Sequence, residues 1–123
     1  MDKYWCILTT RYGKDFRDPS EPQLREALTE LFIENHPTLT ENDYAEHPDA
    51  WLRLGKDDGP LYVATITRDG LAVFEQWADA DFETELRPAG CIGQVSIDEA
   101  FEIWSSLRRA DIESVMKQQW AMA

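Results

Sequence analysis

From Lys3 to Arg11 the chain reads KYWCILTTR, a run of aromatic and β-branched residues that predicts an opening strand, ended by the Gly13 to Pro19 segment with its Gly, Asp and Pro. The period changes at Ser20. Leu24, Ala27, Leu28, Leu31 and Phe32 recur at helical intervals, while Arg25, Glu26, Thr29 and Glu30 fall between them for water. Ser20-Glu21-Pro22-Gln23 places S-x-x-Q at the head of this stripe, with an acid and a proline in the first turn where free N–H groups favour them. The pattern predicts a helix over 20–35, closing near His36-Pro37.

Residues 37–50 (PTLTENDYAEHPDA) hold no sustained period and read as a surface loop. From Trp51 the pattern becomes that of strands: WLRLG, LYVATIT, LAVFEQW and FETELR, separated by the turn residues Asp57-Asp58-Gly59-Pro60, by Arg68-Asp69-Gly70 and by a short Ala-Asp-Ala-Asp tether. In the last of these Phe82, Thr84 and Leu86 alternate with Glu83, Glu85 and Arg87, so one face of the sheet is expected to meet solvent. Pro88 to Gln94 reads as a connection. Ser96 and Glu99 form an S-x-x-E capping box with Val95 as its staple, opening a helix over 96–109 whose buried stripe should be Ile97, Ala100, Phe101, Trp104 and Leu107. Asp111 is placed to cap a last short helix through Val115 and Met116, with Trp120 docking the tail. The sum is an α+β fold over residues 1–123 as one domain: an antiparallel β-meander sheet of about five strands with two main helices packed mostly on one face.

Composition narrows the function. A hydrophobic share of 43% with five Trp is far above that of a disordered acidic tail, so the chain is expected to fold unaided. With 24 acidic against 12 basic residues, its field repels phosphate backbones and anionic lipid heads, which argues against a nucleic-acid or membrane ligand and favours a basic protein partner. The same acidity also serves solubility alone. Met1 to Cys6 lacks a basic segment leading into an apolar run, and no stretch is long and apolar enough to span a bilayer, so a cytoplasmic location is expected. Cys6 and Cys91 lack any metal-ligand or redox spacing and read as small hydrophobes.

The chemistry-bearing patterns are mostly missing. No Gly-rich phosphate loop, nucleophile elbow or HExxH occurs, and His36 and His47 each precede a proline in a helix end and a loop. Asp79-Ala-Asp81-Phe-Glu83 has the alternate spacing of a calcium loop but lacks its glycine and its distal glutamate. No cofactor and no metal are expected, and the protein is read as a binder and not an enzyme. The alternative of a small carboxylate-dependent enzyme would need a preformed pocket with a perturbed acid.

What stands out is charge density. Asp69 to Leu86 contains Asp69, Glu75, Asp79, Asp81, Glu83 and Glu85 with no Lys or Arg. If Ala72 and Phe74 face the core, Val73, Glu75 and Trp77 project to the other side, where Glu83 and Glu85 also project. A Trp ringed by carboxylates is a candidate contact for a basic partner, with burial supplying affinity and charge supplying steering. The same parity fits a Trp77 in the core with the acids as a wetted rim. A second candidate surface is the acidic loop with Asp43, Tyr44 and Glu46. Trp51 and Trp104 are expected in the core.

The segment Val95-Ser96-Ile97-Asp98-Glu99-Ala100, the apolar helix to Leu107, Asp111-Ile112 and the late Val115 to Trp120 resemble the tail of small immunity proteins from bacterial polymorphic-toxin and contact-dependent inhibition systems, in which a V-S-x-E-E-A helix start and a late Trp follow a β-meander. The resemblance covers roughly residues 50–120. It implies a cytoplasmic inhibitor that holds a cognate toxin domain, often a nuclease or deaminase, by covering its active site. No family contact residue maps onto this chain. An acidic DNA mimic or phage-type inhibitor of DNA-binding proteins is the alternative that the same charge allows.

Overall fold

The computed structural model describes residues 4–11, 13–32, 49–56, 59–68, 70–78, 85–118 and 120–122, with backbone alone for 85–88 and 121–122. In chain order the elements are β1 (Trp5–Thr9), β2 (Asp15–Arg17), α1 (Glu21–Phe32), β3 (Asp49–Gly55), β4 (Leu61–Thr67), β5 (Ala72–Trp77), β6 (Glu85–Ile92), α2 (Ile97–Arg108), α3 (Ile112–Met116) and β7 (Ala121–Met122). The described strands form one antiparallel sheet in the order β2-β1-β3-β4-β5-β6-β7. Helices α1 and α2 pack on each other and, through one face of the sheet, on β3 and β4. This is the α+β class expected, with more strands than the hydrophobic pattern predicts.

Both helix starts follow their capping chemistry. At α1 the Ser20 N–H donates to Gln23 Oε1 at 2.9 Å, and the Gln23 N–H donates back to Ser20 Oγ at 3.3 Å. At α2 the same reciprocal pair joins Ser96 and Glu99, at 3.0 and 3.1 Å. Asp111 accepts from the Ser114 N–H and Oγ–H, and these bonds hold its carboxyl below the usual carboxylate range. The stripe Leu24, Ala27, Leu28 and Leu31 is buried as expected. In α2 the stripe is rotated slightly: Ala100, Ile103, Trp104 and Leu107 are buried, while Ile97 and Phe101 lie half-exposed. Phe101 is drawn outward under the Arg25 guanidinium, 4.3 Å above its ring.

The sheet adds Cys6, Leu8, Ala50, Leu52, Leu54, Ala64, Ile66, Ala72 and Phe74 to this core. Each such leucine or phenylalanine contributes roughly 2–3 kcal/mol by leaving water. Trp104 is fully buried and donates its indole N–H to the Ala64 carbonyl at 3.0 Å. At the tail Trp120 stacks on Phe74, ring centres 5.5 Å apart, and its indole N–H reaches the Val115 carbonyl at 2.8 Å. The charged Arg11 is also buried, donating to the Leu31 carbonyl at the end of α1.

Two departures from the expected strand plan have local causes. The Gly13 to Pro19 segment is not all loop: Asp15–Arg17 pairs with Ile7 to Thr9 as β2, and Asp18 leaves it with φ 47, its N–H held by the Cys6 carbonyl at 2.8 Å. The last long strand is displaced toward the C-terminus, running through Pro88 and Gly90 where a connection is expected. Phe74 pairs with Gly90 but Gln76 with Arg87 and Trp77 with Glu85, so β6 carries extra residues against β5. Such bulges tolerate a proline that cannot donate to a ladder. Residues 82–84, the first half of the expected strand, lie outside the described residues, as does the expected loop up to residue 48; Asp49 and Ala50 already belong to β3.

Candidate functional site

Alternation along the strands assigns every sheet residue to one of two faces, and the described helices α1 and α2 pack on one of them. On the other stand Trp5 and Ile7 of β1, opposite Gly55 and Arg53 of β3. Trp51 joins them one row on, opposite Thr9 and Thr65. From β4 come Leu61 and Val63, and from β5 Val73, Glu75 and Trp77. None of these residues belongs to the core or to the side chains packed against it. Leu61 and Val63 are nevertheless 2% and 5% exposed, so a second apolar layer exists where no described helix lies.

The glycine of β3 shows how this layer is built. A Cβ at Gly55 would stand 2.8 Å from Cη2 of Trp5, because the indole of Trp5 lies flat across it. Next in the same strand, Arg53 sits between Ile7 and Val63, and its Nε is buried with no hydrogen-bond partner. A guanidinium nitrogen in that state retains an unmet demand for an acceptor.

Of the residues expected to contact a partner, the structure brings Glu75 and Trp77 together. Ala72 and Phe74 take the core side, 1% and 3% exposed, so Glu75 and Trp77 take the other. Both are half-buried, and the Trp77 indole N–H donates to Glu75 Oε2 at 3.3 Å. Trp77 thus stands outside the core beneath the described helices. The backbone of Glu85 pairs with that of Trp77. Asp79, Asp81 and Glu83 lie outside the described residues, as do Asp43, Tyr44 and Glu46 of the acidic loop.

Trp51 is a correction. It is half-buried on the face opposite the described helices and not among the side chains of the core beneath them, because Ala50, Leu52 and Leu54 occupy the core-facing parity of β3. Trp5 and Arg53 stand on this same second face, and the search for acidic density passes over them. The alternation in WLRLG, with Leu52 and Leu54 against Trp51 and Arg53, is the signal that would have found Arg53.

Little here supports covalent chemistry. Burial, reinforced by the Asp18 carboxylate and partly offset by Arg108, pushes the Cys6 thiol up to about 12, so it stays protonated and inert near neutrality. Cys91 is half-buried and pairs with Val73 on the opposite face from Cys6. Among the described residues no group of three or more His, Cys, Asp or Glu could hold a metal ion; both histidines lie outside them. One cleft of about 310 Å³ lies between the β1–β2 hairpin and α1, against Lys14, Phe16 and Glu26. Another, also about 310 Å³, follows the outer seam of α1 and α2, where Arg25 bonds Asp98 at 3.0 Å. Neither is lined by a cysteine or a histidine.

Fold and surface together define a class: an α+β domain whose sheet has a helix-covered face and a second, tryptophan-bearing face that no described helix covers. Comparison with models of protein families, with curated proteins and with solved structures finds no match to this chain. Among the described residues no helix is long and apolar enough to cross a membrane.

Proposed function

We propose that this protein is an immunity-type inhibitor, acting in the cytoplasm, that binds and neutralises a cognate bacterial toxin domain through the acidic surface around Trp77. The observation that carries the reading is Trp77 itself, half-buried beside Glu75 on the face opposite the described helices, where the chain enters its acidic run. An aromatic anchor flanked by carboxylates suits a basic surface, and a toxin that acts on nucleic acid needs a basic cleft. The net charge of −12 supports the same choice by steering such a partner inward.

Capture from native lysate, with the wild-type chain and a Glu75→Ala/Trp77→Ala variant as parallel baits, tests this. One stoichiometric basic partner is expected, retained by the wild type, lost by the variant and bound more weakly as salt rises. Recovery of several unrelated DNA-binding proteins would replace this reading with that of a DNA mimic.

A further inference from the structure

We propose that the cleft between the β1–β2 hairpin and α1 receives the guanidinium of an arginine side chain presented by a basic protein partner. At about 310 Å³ it stands at the small end of ligand sites, a size suited to one side chain. Both walls are held in place. On one, the Thr10 N–H donates to the Lys14 carbonyl at 2.9 Å, the Lys14 N–H donates to Thr10 Oγ1 at 3.3 Å, and Phe16 of β2 pairs with Leu8 of β1. On the other, Gln23, Glu26, Ala27 and Glu30 recur at helical intervals, which sets them on a single face of α1. The rim is open to solvent: Lys14 and Glu26 are exposed, and Phe16 is half-buried.

The molecule shows elsewhere what such walls hold. At the outer seam of α1 and α2 the Arg25 guanidinium lies 4.3 Å above the Phe101 ring and donates to Asp98 at 3.0 Å, so an aromatic face and a carboxylate together fix a planar cation. The cleft carries the same two parts, Phe16 and Glu26, without the guanidinium. Its wall cation is Lys14, whose ammonium stands 5.8 Å from the centre of the Phe16 ring, near the outer limit of such attraction. Among the described residues no cation forms an ion pair with Glu26.

A guanidinium suits these walls better than an ammonium, because its flat face stacks on Phe16 while its edge donates two parallel hydrogen bonds to a carboxylate, and it gives up water more readily. An anion does not suit them. Lys14 would attract it, but Glu26 and Glu30 and the net charge of −12 oppose it. That same charge draws a basic protein surface, and a lone side chain needs the rest of such an interface to bind tightly. The arriving arginine takes the ring face from Lys14, so Lys14 works against the partner. The inference goes beyond the inhibitor reading and does not rest on it: four strand spacings, about 19 Å, separate β2 from the β5 strand that bears Trp77.

Titration of the full chain with N-acetyl-arginine amide, followed by amide NMR, is expected to shift the signals of Phe16, Glu26 and Ala27 with a dissociation constant of about 1–10 mM, the affinity of one side chain. The lysine analogue should bind at least about threefold more weakly, and the citrulline analogue, alike in shape but uncharged, should not saturate. Glu26→Gln and Phe16→Leu should each weaken binding at least about fivefold, whereas Lys14→Ala, by removing the competing ammonium, should tighten it about twofold. Damage to the fold cannot produce that gain. Circular dichroism identifies a Phe16→Leu chain that fails to fold, and Glu26→Gln, a change at an exposed position, then decides. No saturable shift at the cleft, citrulline binding equal to arginine, indifference to Glu26→Gln or weaker binding by Lys14→Ala would overturn the proposal. Glu75→Ala/Trp77→Ala should leave this titration unchanged, so its failure and that of the lysate capture are read separately.

Discussion

The sheet divides the five tryptophans between two environments. On the helix side Trp104 is fully buried and Trp120 closes the tail, and each indole N–H is bonded to a backbone carbonyl, of Ala64 and of Val115. On the other side Trp5, Trp51 and Trp77 are half-buried, and Trp77 donates to a carboxylate that is itself accessible. A carbonyl partner locks an indole to the fold, whereas a surface carboxylate leaves the pair able to meet something else. One residue type is therefore tied to backbone carbonyls on one face and left half-exposed on the other, and only strand or helix parity tells the two apart.

Substitution should expose that difference most strongly at Trp104. Trp104→Ala is expected to cost about 3–5 kcal/mol in urea unfolding, through lost burial, a cavity and an unpaired Ala64 carbonyl, whereas Trp51→Ala should cost no more than about 2 kcal/mol. Equal losses would show that the helix-free layer is a second core. The buried thiol gives the next effect. Cys6 keeps its proton in the folded state up to about 12, while an unfolded thiol loses it near 9, so stability is unaffected below pH 9 and falls between these values by about 1.4 kcal/mol per pH unit. Cys6→Ala should remove that share of the alkaline slope, read by denaturant titration at several pH values. Gly55→Ala would push the Trp5 indole off β3, with an expected loss of about 1–2 kcal/mol and a red-shifted tryptophan emission. Smallest and opposite in sign, Ala110→Gly should stabilise by about 0.5–1 kcal/mol in the same unfolding assay. Ala110 ends α2 with φ 58, a conformation glycine adopts without strain, on the side where helix geometry and not surface chemistry rules.

The helix side was the legible half. Capping residues, heptad-like spacing and the alternation of β3 to β5 all carry local signals, and Ser96, Leu24 and Phe74 sit where those signals put them. β2 was not legible, because a three-residue strand with two exposed members has no period to detect. Neither was the course of β6, since Pro88 and Gly90 act as breakers until a bulge absorbs them. In the candidate site, the parity of Glu75 and Trp77 could be read from Ala72 and Phe74. Trp5 and Arg53 could not be joined to them in advance, because their adjacency depends on β1 and β3 lying next to β4, a long-range pairing that no local pattern encodes.

The outermost strands of this sheet are its shortest, three residues in β2 and two in β7. A strand edge of that length offers too few free backbone groups to template another chain sideways. Sideways addition of another chain onto β2 or β7 is therefore disfavoured, and each short strand serves the sheet as a stop.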